Sequence, residues 1–324
     1  MIDSPAPTPQ VEILGRLDPD HVEQVEALVR RATEADGVRP LSEHVSLHLR
    51  HGGDEEVRNV LVRVDGRLAA YGHLDVTDLV EGASAELVVE PTMRRRGIGS
   101  LLVTTLLAAS NGRLRLWAHG EHPAAAVMAK SLGFRQVRSL WQMRRSLYAP
   151  LPPPQWPAGV TVRTFEVGHD EDAWVDLNAR AFDGHPEQGK WTRTDLERRL
   201  AEPWFGADGF FLAERDQRLV GFHWTKVHGG HDHAQHGDVD DKKAHAEQMH
   251  GHEPIGEVYV VGVDPAEQGR GLGKALTLEG LAHLRALGLP EVMLYVDADN
   301  AAAIRVYSDL GFTHWDTDVM FRAP

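Results

Sequence analysis

The stretch Val261-Gly-Val-Asp-Pro-Ala-Glu-Gln-Gly-Arg-Gly-Leu-Gly-Lys-Ala-Leu276 decides the fold. A β-rich run reaches Asp264-Pro265, a cluster of glycines follows, and an amphipathic helical pattern begins at Gly273 and continues to Leu287. Glycine lets a backbone come close to a ligand and take positive φ where a turn needs it. The unsatisfied N–H groups of a helix start, together with its dipole, favour an anion there, typically a phosphate. By itself the loop fits a phosphate cradle and a merely tight turn equally well. The Lys-Ser/Thr ending of a P-loop is missing, and so is the third glycine of the dinucleotide fingerprint at its proper spacing.

The same pattern occurs earlier, as Leu87-Val-Val-Glu-Pro-Thr-Met-Arg-Arg-Arg-Gly-Ile-Gly-Ser-Leu-Leu102. Pro91 matches Pro265, Gly97 matches Gly271 and Gly99 matches Gly273, each 174 residues apart. Ser131-Leu-Gly-Phe134 matches Asp309-Leu-Gly-Phe312 at 178. Two unusual patterns in one order at nearly one offset indicate an internal duplication. Between the halves, residues 149–159 hold five prolines in eleven residues, a composition that forms neither helix nor ladder and reads as a stiff linker. The expected domains are therefore 1–148 and 160–324. Each half reads as mixed α/β. A first strand and a helix (His21 to Ala35; Glu171 to Phe182) lead into a hairpin (Val57 to Asp75; Gly209 to Val227), with Asp65-Gly66 a good two-residue turn. Then come the glycine loop and its helix, a strand (Leu114 to Ala118; Glu291 to Val296), a short helix and a last strand.

Composition removes several classes of function. The chain has no cysteine, which excludes disulfides, thiolate metal sites and a cysteine nucleophile. Acids outnumber Lys and Arg by 48 to 34, for a net charge of −14, so neither nucleic acid nor an anionic membrane is an expected partner. The longest apolar runs fall far short of the ~20 residues of a membrane span. Met1-Ile2-Asp3-Ser4-Pro5 has neither a basic start nor an apolar stretch, so no signal peptide is expected and the chain reads as cytoplasmic. A monomer is expected.

The glycine loop preceded by Val-Asp-Pro, with Asn300-x-x-Ala303-Ile304-x-x-Tyr307-x-x-x-Gly311-Phe312 some way beyond it, resembles the GNAT acetyltransferase family. Closer still, Asp36-Gly37-Val38, His185-Pro-Glu-Gln-Gly189, Pro203-Trp-Phe205, Gly221-Phe-His-Trp-Thr-Lys226 and Gly256-Glu-Val-Tyr-Val-Val-Gly-Val263 resemble the mycothiol synthase family, itself a tandem GNAT family. The resemblance implies two GNAT domains, each a central mixed sheet flanked by helices. It implies acetyl-CoA as co-substrate, no required metal, and transfer of acetyl to the cysteine amine of cysteinyl-glucosaminyl-inositol, a small thiol pseudodisaccharide. Another small amine, a peptide N-terminus, or a non-catalytic acyl-CoA sensor remain alternative readings.

Site residues follow from the same resemblance. Glu257 is the expected base, although spacing alone favours a strand-edge surface carboxylate. Tyr307 is the expected acid for the CoA thiolate; spacing alone reads it equally as a core aromatic. Val261, Gly262 and Val263 would meet the thioester and pantetheine through their backbone. Gln268, Gly269, Arg270, Gly271, Leu272, Gly273 and Lys274 would hold the pyrophosphate, with Asn300 and Arg305 as further CoA contacts. The corresponding set in the first half is Leu87, Val88, Val89, Arg95, Arg96, Gly97, Ile98, Gly99 and Ser100. Glu43, Glu187, Lys226 and Tyr295 would read the polyol, with Glu43 reaching over from the first half. In that half Ala83 stands at the Glu257 position, Ala129 at Tyr307 and His122 at Asn300, so it is expected to be catalytically degenerate. Residues 228–254 hold seven of the nineteen histidines and read as a solvated loop, with adventitious metal binding as the sharper alternative.

Overall fold

Residues 8–51, 57–77, 82–183, 185, 188–228 and 254–324 are described by the computed structural model. Glu187 and most of the His-rich stretch, residues 229–253, lie outside them. The first repeat runs β1 (Gln10–Leu14), α1 (Pro19–Asp36), α2 (Glu43–His51), β2 (Val57–Val64), β3 (Arg67–Asp75), β4 (Ala83–Val89), α3 (Ile98–Ala109), β5 (Leu114–Ala118), α4 (Pro123–Ser131) and β6 (Arg135–Ser146). The second repeats that order: β7 (Thr161–Thr164), α5 (Glu171–Ala181), α6 (Arg193–Leu200), β8 (Phe210–Arg215), β9 (Arg218–His228), β10 (Ile255–Val263), α7 (Leu272–Ala286), β11 (Glu291–Asp297), α8 (Ala301–Asp309) and β12 (Thr313–Arg322).

Local chemistry accounts for most of these boundaries. Asp18 caps α1 by accepting from the His21 N–H, Pro19 opens the helix, and Gly37 at φ 73° closes it. The β2–β3 turn uses Asp65 and Gly66 at φ 50° and 74°, the left-handed pair that suits a two-residue hairpin. Its counterpart uses Asp216 and Gln217 at φ 51° and 63°, the same turn without a glycine to announce it. The sequence reading did not anticipate α2 or α6. They have nine and eight residues, too short for a clear period, although Thr192 and Asp195 form a full capping box at α6.

The chain divides into two compact units. Unit 1 holds Met1–Trp141, Asp297–Asp299 and Asp316–Pro324; unit 2 holds Gln142–Val296 and Asn300–Trp315. This division does not follow the proline-rich stretch 149–159, which lies inside unit 2. Strand β12 belongs to the second repeat by sequence, yet its Val319–Arg322 segment pairs antiparallel with Ala118–Arg115 of β5 in unit 1. Conversely, residues 142–146 of β6 belong to unit 2, where the Arg145 guanidinium donates to the Leu310 carbonyl and the following Leu147 N–H donates to Pro290 O at 2.8 Å.

Each unit packs helices on both faces of its sheet. In unit 1, Val60, Val62, Leu102, Leu106, Val319 and Phe321 fill the face under α3, and Leu28, Val45, Leu61 and Tyr71 fill the face under α1 and α2. The period-two alternation along β2 is what sends Leu61 to one core and its neighbours to the other. In unit 2, Trp174, Phe210, Phe222 and Trp224 form an aromatic core under α5 and α6, while Val220, Leu272 and Leu276 pack the α7 face. Among the described residues no helix is long and apolar enough to cross a membrane.

Candidate active site

In unit 2 the glycine loop lies at the end of a strand that leaves its neighbour. Parallel pairing between β10 and β11 covers only Ile255–Val258 against Glu291–Leu294, while β10 itself runs on to Val263. On its other edge β10 stays paired with β9 to Val263, through a register shift that leaves Tyr259 as a bulged extra residue. A bulge kinks its strand and increases the local twist, which turns Val260–Val263 away from β11 and opens a wedge between the two strands. Unit 1 has a similar wedge: β4 pairs β5 only over Ala83–Ala85, although it continues to Val89. The β3–β4 ladder has no bulge.

The glycine loops of the two units share one backbone. Asp264 N–H donates to Val220 O at 2.9 Å, and Glu90 N–H donates to Ala69 O at 2.9 Å. A 3-10 turn follows each, at Pro265–Glu267 and Pro91–Met93. Gly269 and Gly271 take φ 75° and 84°; Arg95 and Gly97, 174 residues earlier, take 63° and 80°. Gly271 and Gly97 are the N-caps of α7 and α3, and neither helix start has a side-chain cap. The N–H groups of Leu272, Gly273 and Lys274 therefore open on a helix dipole without a protein acceptor from the cap, an arrangement that suits an anion. Asp264, not anticipated from the sequence, anchors the loop: buried, it accepts from Arg180 at 3.1 Å, Arg218 at 2.7 Å and the Ala266 N–H at 3.1 Å. Arg94, the neighbour of the expected Arg95 and Arg96, is spent on a two-armed contact with Asp36, both arms 2.7 Å.

Glu257 is no surface carboxylate: it is 7% exposed. It lies directly opposite Lys226 in the β9–β10 ladder, and its Oε2 accepts from His228 Nε2 at 2.7 Å. Burial pushes its carboxyl upward, but the His228 hydrogen bond and the charges of His228 and Lys226 together outweigh that and hold it below the usual glutamate value. Lys226 is 7% exposed, with its ammonium 4.4 Å above the Trp204 ring and 5.3 Å from that of Tyr259. Tyr259 in turn accepts from Arg199 at 2.9 Å, whose guanidinium stacks 3.7 Å over Trp191. The structure thus brings Lys226, Glu257 and His228 together, with the bulged Tyr259 beside Lys226.

Tyr307 is buried on α8 against Phe312, and burial pushes its hydroxyl up to about 12. Asn300 is the α8 N-cap, its side chain accepting from the Ala303 N–H at 3.1 Å, and Arg305 is exposed on the same helix. The Tyr295 hydroxyl is 2.7 Å from Gln142 Nε2 and accepts from it; the residue is 41% exposed. Glu43 opens α2 in unit 1.

Unit 1 has no counterparts of Glu257 and Lys226. Val89 and Ala70 pair as Val263 and Gly221 do, which sets Asp75 in the place of Lys226 and Ser84 in the place of Glu257. The bulge at Tyr259 explains why a fixed offset points to Ala83 instead. Where β4 and β5 part, Glu86 and His119 face each other at 3.4 Å, an ion pair without hydrogen-bond geometry, and Asp318 of β12 reaches His119 Nδ1 at 2.9 Å. Burial pulls the imidazole down, yet the two carboxylates prevail and raise it to about 10; Glu86, despite its burial, falls to about 2. A buried ion triad thus spans the wedge, two residues along β4 from the Ser84 that stands in the place of Glu257.

The acetyltransferase (GNAT) family profile matches residues 172–312, and a second acetyltransferase (GNAT) domain profile matches 56–136. A mycothiol acetyltransferase of Acidothermus cellulolyticus is 59% identical over 315 residues, covering 96% of this chain and 94% of its own. Another, of Streptosporangium roseum, is 53% identical and covers 97% and 99%. In fold, a tandem GNAT protein from the clavulanic acid biosynthesis pathway superposes with a TM-score of 0.70 at 20% identity, covering 97% of this chain and 98% of that one. An N-acetyltransferase of Sphaerobacter thermophilus gives 0.66 at 24%, covering 97% and 96%. The chain belongs to the mycothiol acetyltransferase family of tandem GNAT proteins.

Proposed function

We propose that this chain transfers the acetyl group of acetyl-CoA to the cysteine amine of cysteinyl-glucosaminyl-inositol, the last step of mycothiol synthesis, and does so in unit 2 within the cytoplasm. The observation that carries this reading is the near full-length 59% identity, joined to a buried carboxylate at the strand wedge. The pyrophosphate of acetyl-CoA would bind the N–H groups that open α7, with Gln268, Arg270 and Lys274 around it. The N–H groups of Val261 and Val263, which alternate with the β9-bonded Gly262 on the part of β10 that has left β11, would polarise the thioester oxygen. Asn300 and Arg305 would flank the cofactor from α8.

The substrate arrives as an ammonium of ordinary pKa about 7.7–8.0. Glu257 takes one proton, the amine nitrogen attacks the thioester carbon, and the C–S bond breaks. Tyr307 gives its proton to the departing sulfur, the second amine proton leaves for solvent, and the proton held on Glu257 passes through solvent to the Tyr307 phenolate, restoring both groups. The balance is ammonium plus acetyl-CoA to amide, free thiol CoA and one proton. Holding both reactants in one wedge removes much of the entropic barrier. Lys226, Tyr295 and Glu187 would read the hydroxyl-rich remainder. Unit 1 keeps an intact loop at Arg95, Arg96, Gly97, Ile98, Gly99 and Ser100, beside Leu87 to Val89, and would hold CoA without turning it over.

Release of free CoA from acetyl-CoA, measured with cysteinyl-glucosaminyl-inositol beside a panel of simple amines, tests this. Turnover confined to the cysteinyl pseudodisaccharide is expected. Turnover with a different amine would discard the substrate, and acetyl-CoA binding without acetylation would make the chain a sensor.

A further inference from the structure

His228 has no part in the reaction as described, yet it makes the shortest described contact to the proposed base. Strands β9 and β10 pair Glu257 with Lys226 and set His228 diagonally beside Glu257 on the same face, within reach of a long side chain. An ionised carboxylate only accepts, so the hydrogen in the 2.7 Å contact sits on His228 Nε2. This ties Oε2 and leaves Oε1 as the oxygen able to receive a proton. The Glu257 side chain is 9% exposed and His228 is 35% exposed, so the tie is made at the inner edge of the site. The charged groups acting on Glu257 are His228 and Lys226, both from β9; Arg199 of α6 is engaged with Tyr259 and Trp191.

We propose that His228 is a positioning residue for acetyl transfer, fixing one oxygen of Glu257 through Nε2–H so that the other faces the substrate amine. The proposal rests on the reading of Glu257 as the base. Without this tie the buried carboxylate would turn toward the Lys226 ammonium directly opposite it, and the free oxygen would leave the line of attack.

The test is a double-mutant cycle on the full chain, reading kcat and the KM for acetyl-CoA. His228→Ala should lower kcat by about 10-fold or more with that KM unchanged, a size typical of coupled neighbours. His228→Gln, whose Nε2–H can reach the same oxygen, should stay within about threefold of wild type, whereas His228→Asn, one carbon shorter, should fall with the alanine variant. In a Glu257→Gln background, His228→Ala should cost nothing further. Wild-type kcat in His228→Ala, equal losses in both backgrounds, or equal activity of the Gln and Asn variants would each overturn the proposal. If Glu257→Gln itself keeps wild-type kcat, the base assignment falls first; if it loses kcat and His228→Ala does not, only the role of His228 falls. The Gln and Asn pair decides the matter even if the alanine variant fails to fold.

Discussion

Replacing Gly271 by alanine separates what the glycine loop does for the fold from what it does for the ligand. Gly271 sits at φ 84°, and a Cβ built there meets nothing within 4 Å. The cost to folding is then conformational alone, about 1–2 kcal/mol for a left-handed residue with a side chain. That corresponds to a fall in Tm of about 2–8 °C, which leaves the protein folded. The methyl, however, would occupy open space at the N-cap of α7, where the proposed phosphate would lie against the first N–H groups. Displacing a phosphate from one such group forfeits a charge-assisted hydrogen bond of about 1.5–3 kcal/mol. At ~1.4 kcal/mol per tenfold, the KM for acetyl-CoA should rise by about 10- to 150-fold. Steady-state CoA release across acetyl-CoA concentrations measures it, with a melt on the same sample. Gly97→Ala is the control, since Gly97 has nearly the same φ, 80°, and equally open surroundings, but opens the loop of unit 1. It should show the same modest Tm cost and an unchanged KM. A Gly271→Ala enzyme with wild-type KM and an intact melt would remove the phosphate cradle from the argument; matching KM effects in both variants would remove the single catalytic site.

Tyr307→Phe keeps the ring packed on Phe312 and loses a hydroxyl that is protonated at neutral pH and that burial pushes up to about 12. Turnover should fall about 100-fold with little change in melting, and normal turnover would dispose of the acid assignment. Gly280 lies where α7 crosses His223, and a Cβ there would run into the buried imidazole, whose Nδ1–H donates to Leu276 O at 2.7 Å. Gly280→Ala should destabilise unit 2 by about 1–3 kcal/mol, and an unchanged denaturation midpoint would show that the helix simply slides. The Glu86–His119–Asp318 triad makes unit 1 stability depend on pH from both sides. The raised His119, about 10 against 6.5, contributes fully below pH 6.5 and loses its contribution as pH climbs through 10. The lowered Glu86, about 2 against 4.5, contributes fully above pH 4.5 and fades as pH falls toward 2. Denaturation midpoints across pH should therefore fall on the alkaline side for wild type and less so for Asp318→Asn; parallel curves would sink this account.

Much of this was legible in the chain because it is written locally and twice. The glycine loops, the Asp65-Gly66 turn and the helices that follow announce themselves within a few residues, and their dihedral angles recur at the offset of 174. What stayed hidden depends on partners distant in sequence. No residue type marks Tyr259 as a bulge; only the ladder with β9 does, and the bulge decides that Glu257 meets Lys226 and that Ser84 is its counterpart. Burial of Glu257 was likewise invisible, since a lone glutamate at a strand start reads as exposed. By composition His228 belongs to the histidine-rich stretch, yet as the last residue of β9 it stands apart from it. Asp264 stood inside the quoted motif, and its anchoring role appeared only when Arg180 and Arg218 converged on it.

The late strand in unit 1 has a consequence for synthesis. Ala118 of β5 pairs with Val319 of β12, so the ribosome adds roughly 200 residues between one partner and the other. At about 5–20 residues per second, that leaves the β5 edge waiting some 10–40 seconds for its neighbour. An unpaired edge is a template for any passing strand, including those of another nascent copy on the same message. The usual vectorial order, in which an N-terminal domain finishes folding before its successor is made, cannot hold for this polypeptide. The sheet of unit 1 is completed only once β12 has been made, and until then its β5 edge depends on something other than its own partner to stay unpaired.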